Sequence, residues 1–108
     1  MSAPANPAAN PARGEAALRV AGEPLVLRPT FAALVAAEGE LGPLFELVER
    51  AAAGKLSLAE VAALFWHCRH DAGAALTREG LGEAIVQAGL AAAAPVLKAL
   101  LHQVLAGR

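Results

Sequence analysis

The chain has 108 residues, of which 29 are alanine and 17 are leucine, and its nine Lys and Arg side chains are balanced by ten Asp and Glu. This length is typical of one small domain, which can bury a core without metals or disulfides. A net charge of -1 provides no field for holding phosphates, so the composition argues against a nucleic-acid binder. The high apolar content excludes disorder over the whole length.

The single cysteine, the N-terminal residues and the longest uncharged stretch indicate the cellular compartment in which the protein is expected. Cys68 has no partner for an internal disulfide, so a reducing compartment is the simplest expectation. Residues 1–12 carry no positive charge and no continuous apolar segment, which argues against a secretory signal. The longest uncharged stretch after them, 84–97, has 14 residues. A membrane-spanning helix needs about 20 apolar residues, so no membrane span is expected.

The first predicted elements are a tail and a hairpin. Residues 1–12 are rich in Pro, Ala and Asn, and this composition favours a disordered tail ahead of a single domain over 13–108. Within that domain, 13–29 predicts a β-hairpin whose second strand, 25–28, is bounded by Pro24 and Pro29. A lone hairpin is marginal in water, so it must pack on other elements.

The first predicted helix follows the hairpin directly. Thr30 is suited to cap its N-terminus, and Phe31, Leu34 and Val35 then recur at helical spacing as a buried stripe. Gly39 stands where a left-handed residue would end the helix.

The second predicted helix begins at Pro43, a residue favoured in the first helical turn, and ends at Gly54. Its proposed buried stripe consists of Leu44, Phe45, Val48 and Ala52.

The third and fourth helices have clear start signals. Ser57 and Glu60 have the spacing of a capping box, and Thr77 is suited to cap the next helix, which should end near Gly89. The proposed buried positions are Leu58, Val61, Ala62, Phe65 and Cys68 on the third helix and Leu81, Ile85 and Ala88 on the fourth.

The last helix has a wide apolar arc, which leaves only Lys98, His102 and Gln103 for water. Pro95 falls within the pattern, so the helix either begins near Ala94 or is kinked in its first turn. One packing partner would not cover such an arc. Either this is the central helix of the bundle, or one edge of it is an interface with another chain.

The densest polar cluster runs from Trp66 to Asp71. On one helix, His67, His70 and Asp71 would share a face and could present two imidazoles and a carboxylate to a metal. The simpler interpretation, which we favour, is that the basic side chains complement the negative end of the helix. A Cys68 nucleophile would also need an orienting group and a cleft. No catalytic residue, metal or cofactor is therefore predicted.

Trp66 and the acidic residues have structural interpretations too. Trp66 is expected in the core, with an exposed interface anchor as the alternative. Glu38, Glu40, Glu46 and Glu49 are interpreted as solvated helix faces, with Arg50 pairing with Glu46 four residues away.

Several segments match a known pattern in order and spacing. Arg13-Gly14-Glu15 leads into an alternating strand, Leu25-Val26-Leu27-Arg28 returns, and Thr30-Phe31-Ala32-Ala33-Leu34 runs to Glu38. Ile85-Val86-Gln87-Ala88-Gly89-Leu90 and then Ala94-Pro95-Val96-Leu97 precede a leucine-rich final helix. Over about 13–106 the chain resembles the small tail protein family of phage-like gene transfer agents. No single piece of the pattern is a catalytic signature.

The resemblance implies a role in building a phage-like tail, because members are described either as tail-tube proteins or as tail assembly chaperones. Tube subunits are expected to be β-rich, whereas this chain predicts a mainly α fold, with a short N-terminal β-hairpin packed on about five helices. We therefore expect a non-enzymatic chaperone in the bacterial cytoplasm. Its expected partners are helices of the tape-measure protein, with the tail-tube protein and further copies of itself as additional possibilities. The candidate contact residues are Leu81, Ile85, Leu97, Leu101 and Leu105.

Two alternatives remain open. A structural tail component would form a fixed oligomer and need an interface strand, which only residues 18–27 could supply. A regulatory helical module that binds DNA would need a basic recognition helix, but the arginines are scattered along the chain. Neither nucleic acid nor membrane is expected as a partner.

Overall fold

The computed structural model describes residues 16–20, 23–70 and 76–107, and for residues 16–20, 23 and 24 it describes the backbone alone. The predicted tail therefore lies outside the described residues. Three strands and five helices follow in chain order: β1 Ala16–Val20, β2 Glu23–Leu27, α1 Phe31–Leu41, α2 Leu44–Ala52, α3 Leu58–Cys68, β3 Arg69–His70, α4 Arg78–Ala88 and α5 Leu90–Ala106. The predicted mainly α fold with an N-terminal hairpin is confirmed.

The hairpin is part of a three-stranded antiparallel sheet in the order β1-β2-β3. β3 was not predicted: it pairs with only Val26 and Leu27 of β2. Pro24 lies inside β2 opposite Arg19, so the prediction that it bounds the strand is wrong. The described part of β3 pairs with Val26 and Leu27 and not with Pro24, so no strand described on that side requires an N–H from this proline.

The three predicted helix caps are confirmed. The hydroxyl oxygens of Thr30, Ser57 and Thr77 accept hydrogen bonds from the backbone N–H three residues later, at 3.1, 3.1 and 2.9 Å. The Glu60 carboxylate also accepts from the Ser57 N–H at 3.0 Å, which completes the capping box. Each cap satisfies a backbone donor that the first helical turn leaves without a partner.

Two predicted helix boundaries are wrong. Gly39 lies within α1, which ends before Gly42, and the positive φ of 91° at Gly42 makes it the residue suited to glycine. Pro43 precedes α2 as its N-cap and is not its first residue. Both errors arise where two glycines and a proline stand close together and only Gly42 terminates α1.

The predicted end of α2 at Gly54 is confirmed. The helix stops at Ala52, and Gly54 follows the C-cap with a φ of 72° and donates its N–H to the Ala51 carbonyl.

α5 passes through Pro95 and begins five residues earlier, at Leu90. Pro95 has no N–H to donate to the carbonyl of Ala91. Ala91 is exposed, so water can solvate that carbonyl. The sequence-based alternative that the helix begins near Ala94 is therefore wrong.

The core is built around α3, which packs against α1 and α4. Val61, Ala63, Leu64, Phe65 and Cys68 of this helix are buried, whereas α5 buries only three residues, Ala93, Leu100 and Leu101. The prediction that α5 could be the central helix is therefore wrong, and its apolar arc is left partly uncovered. Leu47, Leu81 and Ile85 complete the core from α2 and α4.

Several residues predicted to be buried face the solvent instead. Phe31 is 85% exposed and Phe45 is 79% exposed, and Val35 and Leu58 are also exposed. Ala88 of α4 is exposed, while Ala84 takes the buried position. The predicted α1 stripe was therefore rotated from the observed one, since the first seven residues of this helix are all apolar. Of the predicted α2 stripe, Leu44 and Val48 do pack against the core.

No single helix in the described part of the chain is long and apolar enough to cross a membrane. α4 and α5 reach the required length only together, and they are bent by 116° where they meet.

Candidate protein-binding surface

A large apolar groove lies between α2 and α5. Its volume is about 800 Å³, and its apolar walls are Val48, Ala51 and Ala52 of α2 and Ala94, Leu97, Leu101 and Leu105 of α5. The small alanine side chains leave space between the two helices. Val48 and Leu97 are partly buried and pack against the core beneath the groove. Two helices that form an apolar trough of this kind are suited to receive a third helix.

The polar residues of the groove lie on α5. Lys98, His102 and Gln103 line it, and the Lys98 ammonium gives the α5 wall a positive charge. The Gln103 Oε1 atom is buried and receives no hydrogen bond from any described residue. A buried acceptor without a donor is uncommon in folded proteins. Because the protein itself covers this atom, an occupant of the groove would not contact it in this conformation.

The five predicted contact residues divide between core and groove. Leu81 and Ile85 are fully buried in the core. Leu97, Leu101 and Leu105 all line the groove; Leu105 is 58% exposed, whereas Leu101 also belongs to the buried core. The structure thus brings the three α5 leucines together, and their contact with a partner stays a prediction. The sequence signal that identified them was the width of the apolar arc.

A second apolar surface, which sequence reasoning missed, is the outer face of α1. Phe31, Ala32, Val35 and Ala36 all lie exposed on this helix, which also carries the core residue Ala37. A helix with apolar residues on both sides is normally covered on both. The signal was present in the sequence, because α1 has no charged residue before Glu38.

His67, His70 and Asp71, which the sequence analysis considered and rejected as a metal site, do not share a helix face. α3 ends at Cys68, and His70 belongs to β3 and pairs with Val26, so the two histidines stand on different elements. Asp71 lies outside the described residues. Among the residues described, no three His, Cys, Asp or Glu side chains are grouped so that they could hold a metal.

His67 instead joins an ion-pair network that connects three helices. Its Nε2 atom lies 2.8 Å from Glu40 Oε1, and Arg78 donates to Glu40 Oε2. Hydrogen bonds from His67 and then Arg78 hold the pKa of the Glu40 carboxyl below its ordinary value. Glu40 therefore connects α1 to α3 and α4, which corrects the prediction that it is only a solvated residue.

Cys68 and Trp66, the two remaining residues of the polar cluster with a distinctive side chain, both pack against the hydrophobic core. Burial raises the pKa of the Cys68 thiol to about 12, so the folded protein holds it protonated and unreactive. Trp66 is partly buried and packs against the core, with the Arg69 guanidinium 3.5 Å from the centre of its ring. The expected core position of Trp66 is thus observed, with one edge left at the surface.

The other charged residues also have structural partners. Arg50 pairs with Glu60 at 2.5 Å and not with Glu46, so the predicted pair within α2 is wrong. This contact ties α2 to α3, and hydrogen bonds from Ser57 and then Arg50 hold the pKa of the Glu60 carboxyl below its ordinary value. Glu38 accepts a hydrogen bond from the Leu44 N–H at 3.0 Å and so caps α2.

Comparison with known proteins gives one match. No curated protein and no solved structure matches the chain significantly. A family model described as "Phage tail tube protein, GTA-gp10" matches residues 13–107, which include every described element. This span agrees with the resemblance seen in the sequence, and the chain belongs to the phage tail tube protein family GTA-gp10.

Proposed function

We propose that this protein is a structural component of a phage-like tail tube, and that it works by contacts with other proteins and without catalysis. The observation that carries the proposal is the family match, which extends over 13–107 and is described as a tail tube family. Of the two roles that the sequence suggested, this description supports the structural one better than the chaperone.

The sheet supports a structural role through β1. β2 is the central strand, and among the described strands β1 pairs with β2 alone, while it also packs against α4 and α5. A strand at the edge of a sheet can pair with a strand of a neighbouring copy. Residues 18–27 were expected to supply such an interface, and of the two strands in that range β1 is the one at the edge of the described sheet.

A non-catalytic role is supported by the state of the reactive side chains. The Cys68 thiol is buried with a raised pKa, and His67 is bound to Glu40. A buried thiol with a raised pKa is unsuited to nucleophilic chemistry, and the contact of His67 with Glu40 joins α3 to α1.

Tail assembly chaperone is the second candidate, and the α2/α5 groove favours it. A chaperone would cover apolar helices of the tape-measure protein in the bacterial cytoplasm until tube subunits polymerise around them. The groove is apolar, accessible and of a size for a helix. The small sheet, in which β3 has only two residues, is also less than a β-rich tube subunit would provide.

Purified tailed particles and a tape-measure pull-down separate the two roles. The structural role predicts this chain in mature particles at a stoichiometric level, and no capture by isolated tape-measure protein. The chaperone role predicts the reverse, with capture weakened by Ala52→Glu in the groove and unchanged by Leu90→Ala outside it. Absence from particles together with capture would overturn the structural proposal.

A further inference from the structure

We propose that copies of this protein associate head to tail, with the outer face of α1 of one copy seated in the α2/α5 groove of the next. The inference deepens the structural role proposed above and rests on it in supposing that many copies meet in one tail. It names the occupant of the groove as a second copy of this chain.

The first support is the outer face of α1. Phe31 and Val35 lie one turn apart and are 85% and 49% exposed, and the neighbouring Ala32 and Ala36 are exposed as well. Gly39 continues this side of the helix, and a side chain there would meet nothing within 4 Å. The face is therefore a large apolar knob flanked by small residues, which let another helix approach closely.

The second support is the groove, which has complementary chemistry. At about 800 Å³ it is far larger than one side chain needs, and its walls are mostly alanine and leucine. Glu38 follows Phe31 by seven residues and lies at the exposed end of the α1 face. Lys98 lines the α5 wall, so the acidic end of the knob has a cationic side chain to meet.

The two surfaces are separate parts of the chain, since no residue of α1 lines the groove. A contact between them is heterologous, which means that each bound copy still presents a free knob and a free groove. Such contacts repeat into rings or filaments, as a tube requires.

The test uses full-length protein and two variants with opposite defects. Phe31→Ala removes the knob and keeps the groove, and Ala52→Glu fills the groove and repels Glu38 while keeping the knob. Leu90→Ala truncates another exposed apolar residue, outside both surfaces, and is the control. Light scattering after size exclusion, across a range of concentrations, measures the mass of each species.

Wild type and Leu90→Ala are expected to form higher oligomers, and each defective variant alone should associate about 30-fold more weakly, as for a hot-spot residue. An equal mixture of the two variants should give a discrete heterodimer, because one intact knob then meets one intact groove. Wild type that stays monomeric at every concentration, or a mixture that gives no heterodimer, would overturn the inference.

Crosslinking identifies the contact without relying on a disruptive variant. Val35→Cys and Lys98→Cys proteins are mixed and treated with a short bis-maleimide, while the buried Cys68 serves as an unreactive background. Crosslinks only in the mixture support the head-to-tail contact. Crosslinks within the Val35→Cys sample alone, or none in any sample, would overturn it. If this chain were absent from purified particles, the proposed structural function would be contradicted, but the head-to-tail contact measured in solution would still hold.

Discussion

Phe31 and Phe65 permit a direct comparison of the same truncation at two positions. Phe65 is fully buried at the centre of α3, whereas Phe31 is 85% exposed at the start of α1. Because burial of apolar surface is the main source of stability, the structure predicts very different costs for Phe65→Ala and Phe31→Ala.

The magnitudes follow from the buried area. A buried phenylalanine removes about 200 Å² from water, which at about 25 cal/mol per Å² gives about 5 kcal/mol as an upper value. Measured truncations of this kind cost about 3–5 kcal/mol once the cavity is included. Phe31 buries less than a fifth of its surface, so the same arithmetic gives less than about 1 kcal/mol.

Urea unfolding followed by circular dichroism measures both free energies. The protein should be dilute, because self-association would add stability that depends on concentration. Phe65→Ala should lose about 3–5 kcal/mol of a total free energy of unfolding that is about 5–15 kcal/mol for native proteins, and Phe31→Ala should be near wild type. Equal losses for the two variants would refute the placement of α1 and, with it, the exposed apolar face.

Three further outcomes test other parts of the structure. Ser57→Ala should lower the free energy of unfolding by about 1 kcal/mol by removing the α3 cap, while Ser2→Ala in the predicted tail should leave it unchanged; equal effects would contradict the capping box. The pKa of Glu40 is lower in the folded protein than its ordinary value of 4.5, so the Glu40 contacts add stability above pH 4.5 that is lost as the pH falls through the folded-state pKa. On acidification, the melting temperature of Glu40→Gln should therefore drop less than that of wild type. Parallel curves for the two proteins would argue against the network. The raised pKa of Cys68, about 12, predicts that a thiol reagent at pH 8 labels the folded protein only as fast as it unfolds, and immediate labelling would show the thiol to be accessible.

The features that sequence reasoning predicted correctly are those with local causes. The caps at Thr30, Ser57 and Thr77 depend on a hydroxyl and a backbone N–H three residues apart, so the sequence contains the whole interaction. The hairpin and the number of helices followed from alternation and from 3.6-residue periodicity in the same way.

The features that it missed depend on the packing of distant elements. The predicted α1 stripe was rotated from the observed one because Phe31, Leu34 and Val35 are all apolar. Leu34 faces the core because that side of α1 packs against α3. Likewise, Leu47 and not Phe45 faces the core from α2. In a chain so rich in alanine and leucine, periodicity does not separate the two faces of a helix.

The candidate surface was predicted in part. The surplus of leucines on α5 correctly indicated apolar area beyond the needs of the core, and Leu97, Leu101 and Leu105 line the groove. The α2 wall and the exposed face of α1 were missed, because both require the positions of other helices. Similarly, His70 could be placed on β3 only after its pairing with Val26 was known.

The structural role in the tail is tested most directly by counting this chain in purified particles. Quantitative mass spectrometry gives copies per particle, and particles with shortened and lengthened tape-measure proteins provide tails of different length. A tube component predicts many copies, in a number that rises in proportion to tail length. A chain that is abundant in the assembling cells and absent from particles of every length would contradict the structural role.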